Sequence, residues 1–167
     1  MNATSVFPVP KENSQHSRAV LMCAKENARQ LGQPEVTGLH LLIAVIRDCR
    51  GFLGKELRKR PSLVADMEHA AHAPLTLHSQ SPCGDIVWSE ELRRVNGLAF
   101  QEMALSRHKE VKVKHLSIGL LTFSPSPVSA LLDEFGFNRA SLVNNLRHQL
   151  MCPAEIVCAD NSQPLLM

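Results

Sequence analysis

The side chains best equipped for reactivity in this chain are its histidines and cysteines. His69 and His72 stand one helical turn apart, with His78 and Cys83 close behind. Nitrogen and sulfur donors of this kind bind zinc when four converge. Only His69 and His72 have usable spacing, so no metal site is expected. Cys152 and Cys158 have no nearby histidine to take a thiol proton, which argues against a catalytic thiolate. Cys23 and Cys49 are expected to pack as small apolar side chains. Glu90 and Glu91 are adjacent carboxylates, but they open a helix whose dipole favours negative charge there. Lys55, Arg58, Lys59 and Arg60 form a basic cluster expected to be a solvated face at a helix end, with contact to an acidic partner as the alternative. Nothing assembles a nucleophile, a base and an orienting group. The chain is expected to be no enzyme, with no catalytic residue, no cofactor and no metal.

His40 and His115 differ from these because each occupies the same place in a repeated sequence. Val36-Thr37-Gly38-Leu39-His40-Leu41-Leu42-Ile43-Ala44-Val45-Ile46 returns, 75 residues on, as Val111-Lys112-Val113-Lys114-His115-Leu116-Ser117-Ile118-Gly119-Leu120-Leu121. The same shift aligns Ser14 with Ser89, Arg18 with Arg93, Val20 with Val95, Ala24 with Ala99 and Glu35 with Glu110. Each histidine falls in the first turn of an apolar helix, where free amides and the positive dipole end disfavour a protonated ring. The favoured reading is a neutral imidazole bonded to the preceding loop, fixing the turn. Ligand contact is the alternative.

The elements that hold these residues follow from period and punctuation. Residues 1–13 read as a flexible arm containing Pro8 and Pro10. Ser14 caps a first helix to about Leu31, with Val20, Cys23, Ala24, Ala28 and Leu31 on its buried face, and Gly32 and Pro34 end it. A second helix, Gly38 to Asp48, is apolar almost all round and is expected at the centre of its half. Gly51 to Lys59 and Leu63 to His72 read as two shorter helices separated by Pro61, with Ser62 as cap. Ala73 to Val87 lacks helical period and is the expected linker.

Trp88 and Ser89 restart the pattern. Leu92, Val95, Leu98, Ala99 and Met103 form the expected buried stripe of a fifth helix. Gly97 within it costs about 1 kcal/mol relative to alanine, so a close neighbouring helix is expected there. Lys114 to Phe123 repeats the buried helix, and Ser126-Pro127 opens another that Gly136 closes. Asn138 caps an eighth, with Leu142, Val143, Leu146 and Leu150 inward; beyond 150 runs a tail with two apolar pairs, Ile156-Val157 and Leu165-Leu166. The expected fold is all-α: eight helices as two pseudo-twofold-related four-helix repeats, 14–72 and 88–150, joined by the linker 73–87.

Composition narrows the role. The chain has 167 residues, 44% apolar and 20% charged, with a net charge of +2. That size allows a sizeable core, whereas each half alone would be marginal. So small a positive excess, with Trp88 alone and no tyrosine, argues against nucleic-acid binding. A small DNA-binding or regulatory protein is the alternative, since Gly32 to Asp48 imitates a helix-turn-helix; but Leu41 to Ile46 offers nothing to base edges. Met1 to Pro10 has no signal-peptide pattern, and Leu39 to Ile46 is too short to span a bilayer. Five cysteines in no framework suit reduced thiols. A cytoplasmic protein without membrane contact, monomeric or weakly dimeric, is expected.

The capped amphipathic helix, the apolar residue four before a histidine, and the His-Leu opening of an apolar helix, all repeated at one shift, resemble the Clp N-terminal domain of the Clp/Hsp100 unfoldases. The resemblance covers Ser14 to about Leu150, and Gly38-Leu39-His40-Leu41 is closest to the ClpB version. It implies the double four-helix fold and a docking role for a Clp-type ATPase, an adaptor or an unfolded client in protein quality control. No Gly-x-x-x-x-Gly-Lys-Ser/Thr phosphate loop occurs, so ATPase chemistry is not expected of this sequence and a stand-alone N-domain protein is. The resemblance suggests Ser14, Leu39, Leu98, Glu102, Lys114 and His115 as partner contacts. ClpC-type domains have Glu before each motif histidine to help hold phosphorylated arginine. Here Leu39 and Lys114 stand there, and a guanidinium needs a carboxylate. Of the positions matching the apolar groove of ClpB-type domains, only Leu98 remains apolar beside Glu102 and His115.

Overall fold

A computed structural model of the chain describes residues 9–76 and 85–151. Its helices are α1 Gln15–Gln30, α2 Gly38–Arg47, α3 Phe52–Leu57, α4 Pro61–Thr76, α5 Glu90–Leu105, α6 Val113–Thr122, α7 Pro127–Glu134 and α8 Arg139–Met151. Both ends of α1 and α2, moved by 75 residues, give α5 and α6. The caps repeat too: Ser14 Oγ accepts from Ser17 N and Ser89 Oγ from Leu92 N, both at 3.2 Å. Ser126 caps α7 with Pro127 in its first turn, Asn138 accepts from Ser141 N at 3.0 Å, and Gly136 ends α7 at φ 70°. These are the short polar and conformationally free residues expected at helix ends.

Helices α2 and α6 are the buried centre. Every α2 residue from Gly38 to Ile46 is buried, and the matching stretch of α6, 113–121, is too except at Lys114. Helix α2 packs on α1, α3 and α4 of its own lobe and on α5, α6 and α7 of the other. One apolar core therefore runs through both lobes. No single helix among the described residues is long and apolar enough to cross a membrane.

The lobes are also joined by backbone pairing that the all-α reading omitted. Strand β1 (Glu35–Val36) lies parallel to β2 (Val87–Trp88), pairing Val36 with Trp88, and an isolated parallel bridge pairs Asn13 with Val111. Under the 75-residue shift these are one pairing made twice. Ser89 N donates to Val36 O and Ser14 N to Val111 O, each at 3.0 Å. Each lobe's loop thus holds the chain leading into the other lobe.

Several expectations change. Asn13, assigned to the flexible arm, is 1% exposed because of its bridge, and Val9 and Pro10 line a small apolar cleft with Leu21, Trp88 and Leu92. Pro61 starts α4 rather than separating helices, so Ser62 lies inside it, and α4 runs into the expected linker as far as Thr76. Proline suits a first helical turn because its missing N–H is not needed there. Cys23 and Cys49 are exposed; Cys23 lies about a third of a turn round from the stripe of Val20, Leu21, Ala24 and Ala28. Gly97 meets nothing within 4 Å of a β-carbon placed on it. The close approach is at Gly119, where a β-carbon would overlap the Val95 carbonyl oxygen of α5. His78, Cys83, Cys152, Cys158 and the two tail pairs lie outside the described residues.

Candidate functional site

The loop between Leu31 and Gly38, and its match between Ser106 and Val113, end at the paired histidines. Thr37 N donates to His40 Nδ1 at 3.0 Å and Lys112 N to His115 Nδ1 at 2.9 Å. This is the job a Glu or Gln does in a capping box. Both rings are 0% exposed, and burial is the main cause holding each pKa down to about 4, with His72 adding for His40 and His108 and Lys112 for His115. The neutral, turn-fixing reading of both histidines is the one the geometry supports. With Nδ1 accepting, the neutral ring carries its proton on Nε2.

What Nε2 meets separates the lobes. In the first, His40 Nε2 has no hydrogen-bond partner among the described residues. In the second, His115 Nε2 faces Ser106 Oγ at 3.0 Å and His108 Nδ1 at 3.1 Å, while Ser106 Oγ donates to Glu102 O at 2.6 Å. The matching first-lobe residues are Leu31 and Gln33. Between Ser106 and His108 sits Arg107 at φ 55°, where the first lobe has Gly32 at φ 66°. A left-handed arginine costs about 1 kcal/mol that glycine avoids. Burial first, then Lys112 and Lys114, holds His108 below its ordinary pKa.

The outer face beside this loop also differs. Glu102 of α5 and Arg147 of α8 form an ion pair, with Arg147 Nε at 3.2 Å from Glu102 Oε2. One turn further on the same faces stand Leu105 and Met151, 74% and 71% exposed. Leu98, one turn before Glu102, is half-buried. The first-lobe matches of Leu105 and Met151 are Gln30 and Thr76, both polar. Along α8 the surface opens into a cavity of about 500 Å³ that reaches from Phe137 and Val143 to Arg147.

Residues 12–135 match the Clp repeat (R) N-terminal domain family. The chain belongs to the Clp N-terminal domain family. A ClpA homologue from Cyanidium caldarium, an ATP-dependent Clp protease ATP-binding subunit, is 23% identical over 127 residues, 76% of this chain. The chain spans 15% of that relative's length. The N-terminal domain of the chaperone ClpD from Arabidopsis thaliana superposes with a TM-score of 0.67 at 20% identity, covering 85% of this chain and 96% of the other. The Hsp104 N-terminal domain from Candida albicans gives 0.67 at 20% identity over 81% and 89%.

Within this Clp N-domain the six suggested contacts fall apart. Leu39 and His115 are buried, and Ser14 accepts from Ser17 N as the cap of α1. Leu98, Glu102 and Lys114 are partly exposed on the second lobe. Leu105 and Met151 were not singled out, although apolar residues beyond a helix stripe mark exposed patches. The Lys55–Arg60 cluster is mostly spent internally. Arg58 donates to Ile46 O at 2.6 Å and Asp48 O at 3.1 Å, Lys59 pairs with Glu56, and Arg60 lies 5.8 Å over the Phe137 ring. In the second lobe Leu121 O, the match of Ile46 O, accepts from Arg139 at 3.2 Å. Glu91, in the first turn of α5, accepts from Gly38 N at 3.2 Å, and burial raises its pKa despite that bond.

Proposed function

We propose that this chain is a non-catalytic docking module that receives a protein partner in Clp-type quality control, through the outer face of its second lobe. The partner is a Clp-type ATPase, its adaptor or an unfolded client. The observation that carries the reading is the pair of exposed apolar residues, Leu105 and Met151, each one turn beyond a member of the Glu102–Arg147 ion pair on its own helix. Exposed side chains of this size gain by being covered, about 1.5–3 kcal/mol for each one fully buried. Their first-lobe matches are polar, so the fold itself does not require them there. The family supports a docking role of this coarse kind.

The test is binding of a permanently unfolded, apolar polypeptide to the full chain, followed by fluorescence anisotropy. Leu105→Asn with Met151→Asn is expected to weaken it roughly tenfold. Met22→Asn, at the exposed methionine of the first lobe, is expected to leave it unchanged. Equal binding by all three proteins would remove the second-lobe face from consideration.

A further inference from the structure

The loop that carries Ser106 and His108 concentrates positive charge that the first lobe lacks. Residues 106–114 contain Arg107, Lys109, Lys112 and Lys114 against the single carboxylate of Glu110; the matched residues 31–39 contain Glu35 and no cation. The whole chain has a net charge of only +2, so this is a local feature. Arg107, Lys109 and Lys112 are exposed and Lys114 half-buried. None of the four has a carboxylate within ion-pair distance among the described residues. The cations also crowd one another: burial and then Lys112 hold the Lys114 pKa down. Uncompensated like charges raise the local potential and favour an incoming anion.

The loop is built to hold this shape. His115 ties it to the start of α6 through Ser106 and His108, and Arg107 keeps its charge at a backbone position that glycine fills in the first lobe. Leu105 directly precedes it, and Met151 stands one turn beyond Arg147, the ion-pair partner of Glu102.

Resting on the docking role of this face, we propose that it selects an acidic polypeptide: a segment that sets an apolar side chain against Leu105 and Met151 and its carboxylates against Arg107, Lys109 and Lys112. The chemistry favours a peptide over a nucleic acid. A phosphate backbone leaves Leu105 and Met151 uncovered, the sole tryptophan is buried, and the neighbouring Arg147 is already neutralised by Glu102.

The experiment measures anisotropy of three labelled peptides with one apolar core and acidic, neutral or basic flanks, alongside a labelled DNA duplex, against the full chain. The acidic peptide is expected to bind roughly tenfold tighter than the neutral one, with the advantage shrinking at high salt. Lys109→Glu with Lys112→Glu is expected to abolish that advantage and leave the neutral peptide unchanged, with helix content by circular dichroism confirming the fold. Arg107→Gly, which relaxes the backbone, is expected to reduce it about threefold. Equal binding of acidic and neutral peptides overturns the charge selection and leaves the docking role standing. Binding of none of the peptides removes the docking role as well. Tighter binding of the duplex than of the acidic peptide at equal salt makes the loop a nucleic-acid surface instead.

Discussion

The two lobes of this Clp N-domain share the bounds of their first two helices, the serine cap of the first and the histidine turn of the second, yet they spend their surfaces differently. At matched positions the first has Gln30, Gly32, Gln33 and Thr37, and the second Leu105, Arg107, His108 and Lys112. Many buried positions stay alike, among them Val20 with Val95, Ala24 with Ala99, Val36 with Val111 and Ile43 with Ile118, because both lobes pack into one core, whereas surface positions answer to solvent or to something that binds. The lesson is that an internal repeat supplies its own control. A feature present in both lobes is explained by folding, and one present in a single lobe needs another reason.

Packing offers the strongest way to break the likeness. Gly119 is matched by Ala44, which is buried without overlap, so α5 and α6 approach more closely there than α1 and α2 do. Gly119→Ala is expected to cost about 2–3 kcal/mol by forcing those helices apart. Ala44→Gly is expected to cost only about 1 kcal/mol. Urea denaturation of both variants checks the asymmetry; equal losses would mean the two helix pairs have the same spacing.

Acid should act on both lobes together. His40 and His115 have folded-state pKa values of about 4 against roughly 6.5 in an unfolded chain. Between those values the unfolded state binds protons that the folded state refuses. Stability therefore falls as pH drops from about 6.5 to 4, by up to about 3 kcal/mol for each histidine. Thermal melts across this range should show the slope, and His40→Gln with His115→Gln should flatten it. A slope unchanged in that double variant would assign the acid sensitivity to other groups.

The two arginines that cap the central helices sharpen the comparison at smaller scale. Arg58→Ala leaves Ile46 O and Asp48 O without their donor, and Arg139→Ala does the same to Leu121 O. Losses of about 1–2 kcal/mol are expected from each, larger at Arg58 because it serves two carbonyls. The smallest effect belongs to Gly97, which faces open space in a helix interior. Gly97→Ala should stabilise the protein by about 1 kcal/mol, read as a higher melting temperature.

Much of this is legible in the sequence. Ser14, Ser89, Ser126 and Asn138 announced their helices because capping is a local bargain between one side chain and the next turn. The histidine turns were legible for the same reason, being closed within four residues. The candidate site was less so. Leu98, Glu102 and Lys114 belong to it, but Leu105 and Met151 stand 46 residues apart, and it is the Glu102–Arg147 ion pair, one turn before each, that links their two helices. Gly97 misled because a glycine's cost is visible in sequence while its neighbour is not.

By itself the chain's order of residues determined the helices, their ends and the doubling, since these depend on contacts a few positions apart repeated at one interval. Only the tertiary structure decided which loop pairs with which lobe, where two helices nearly touch, and which arginine reaches the end of each central helix. Val36 with Trp88 and Asn13 with Val111 are long-range backbone bonds. They carry no side-chain signature, because a peptide group is the same in every residue that supplies it.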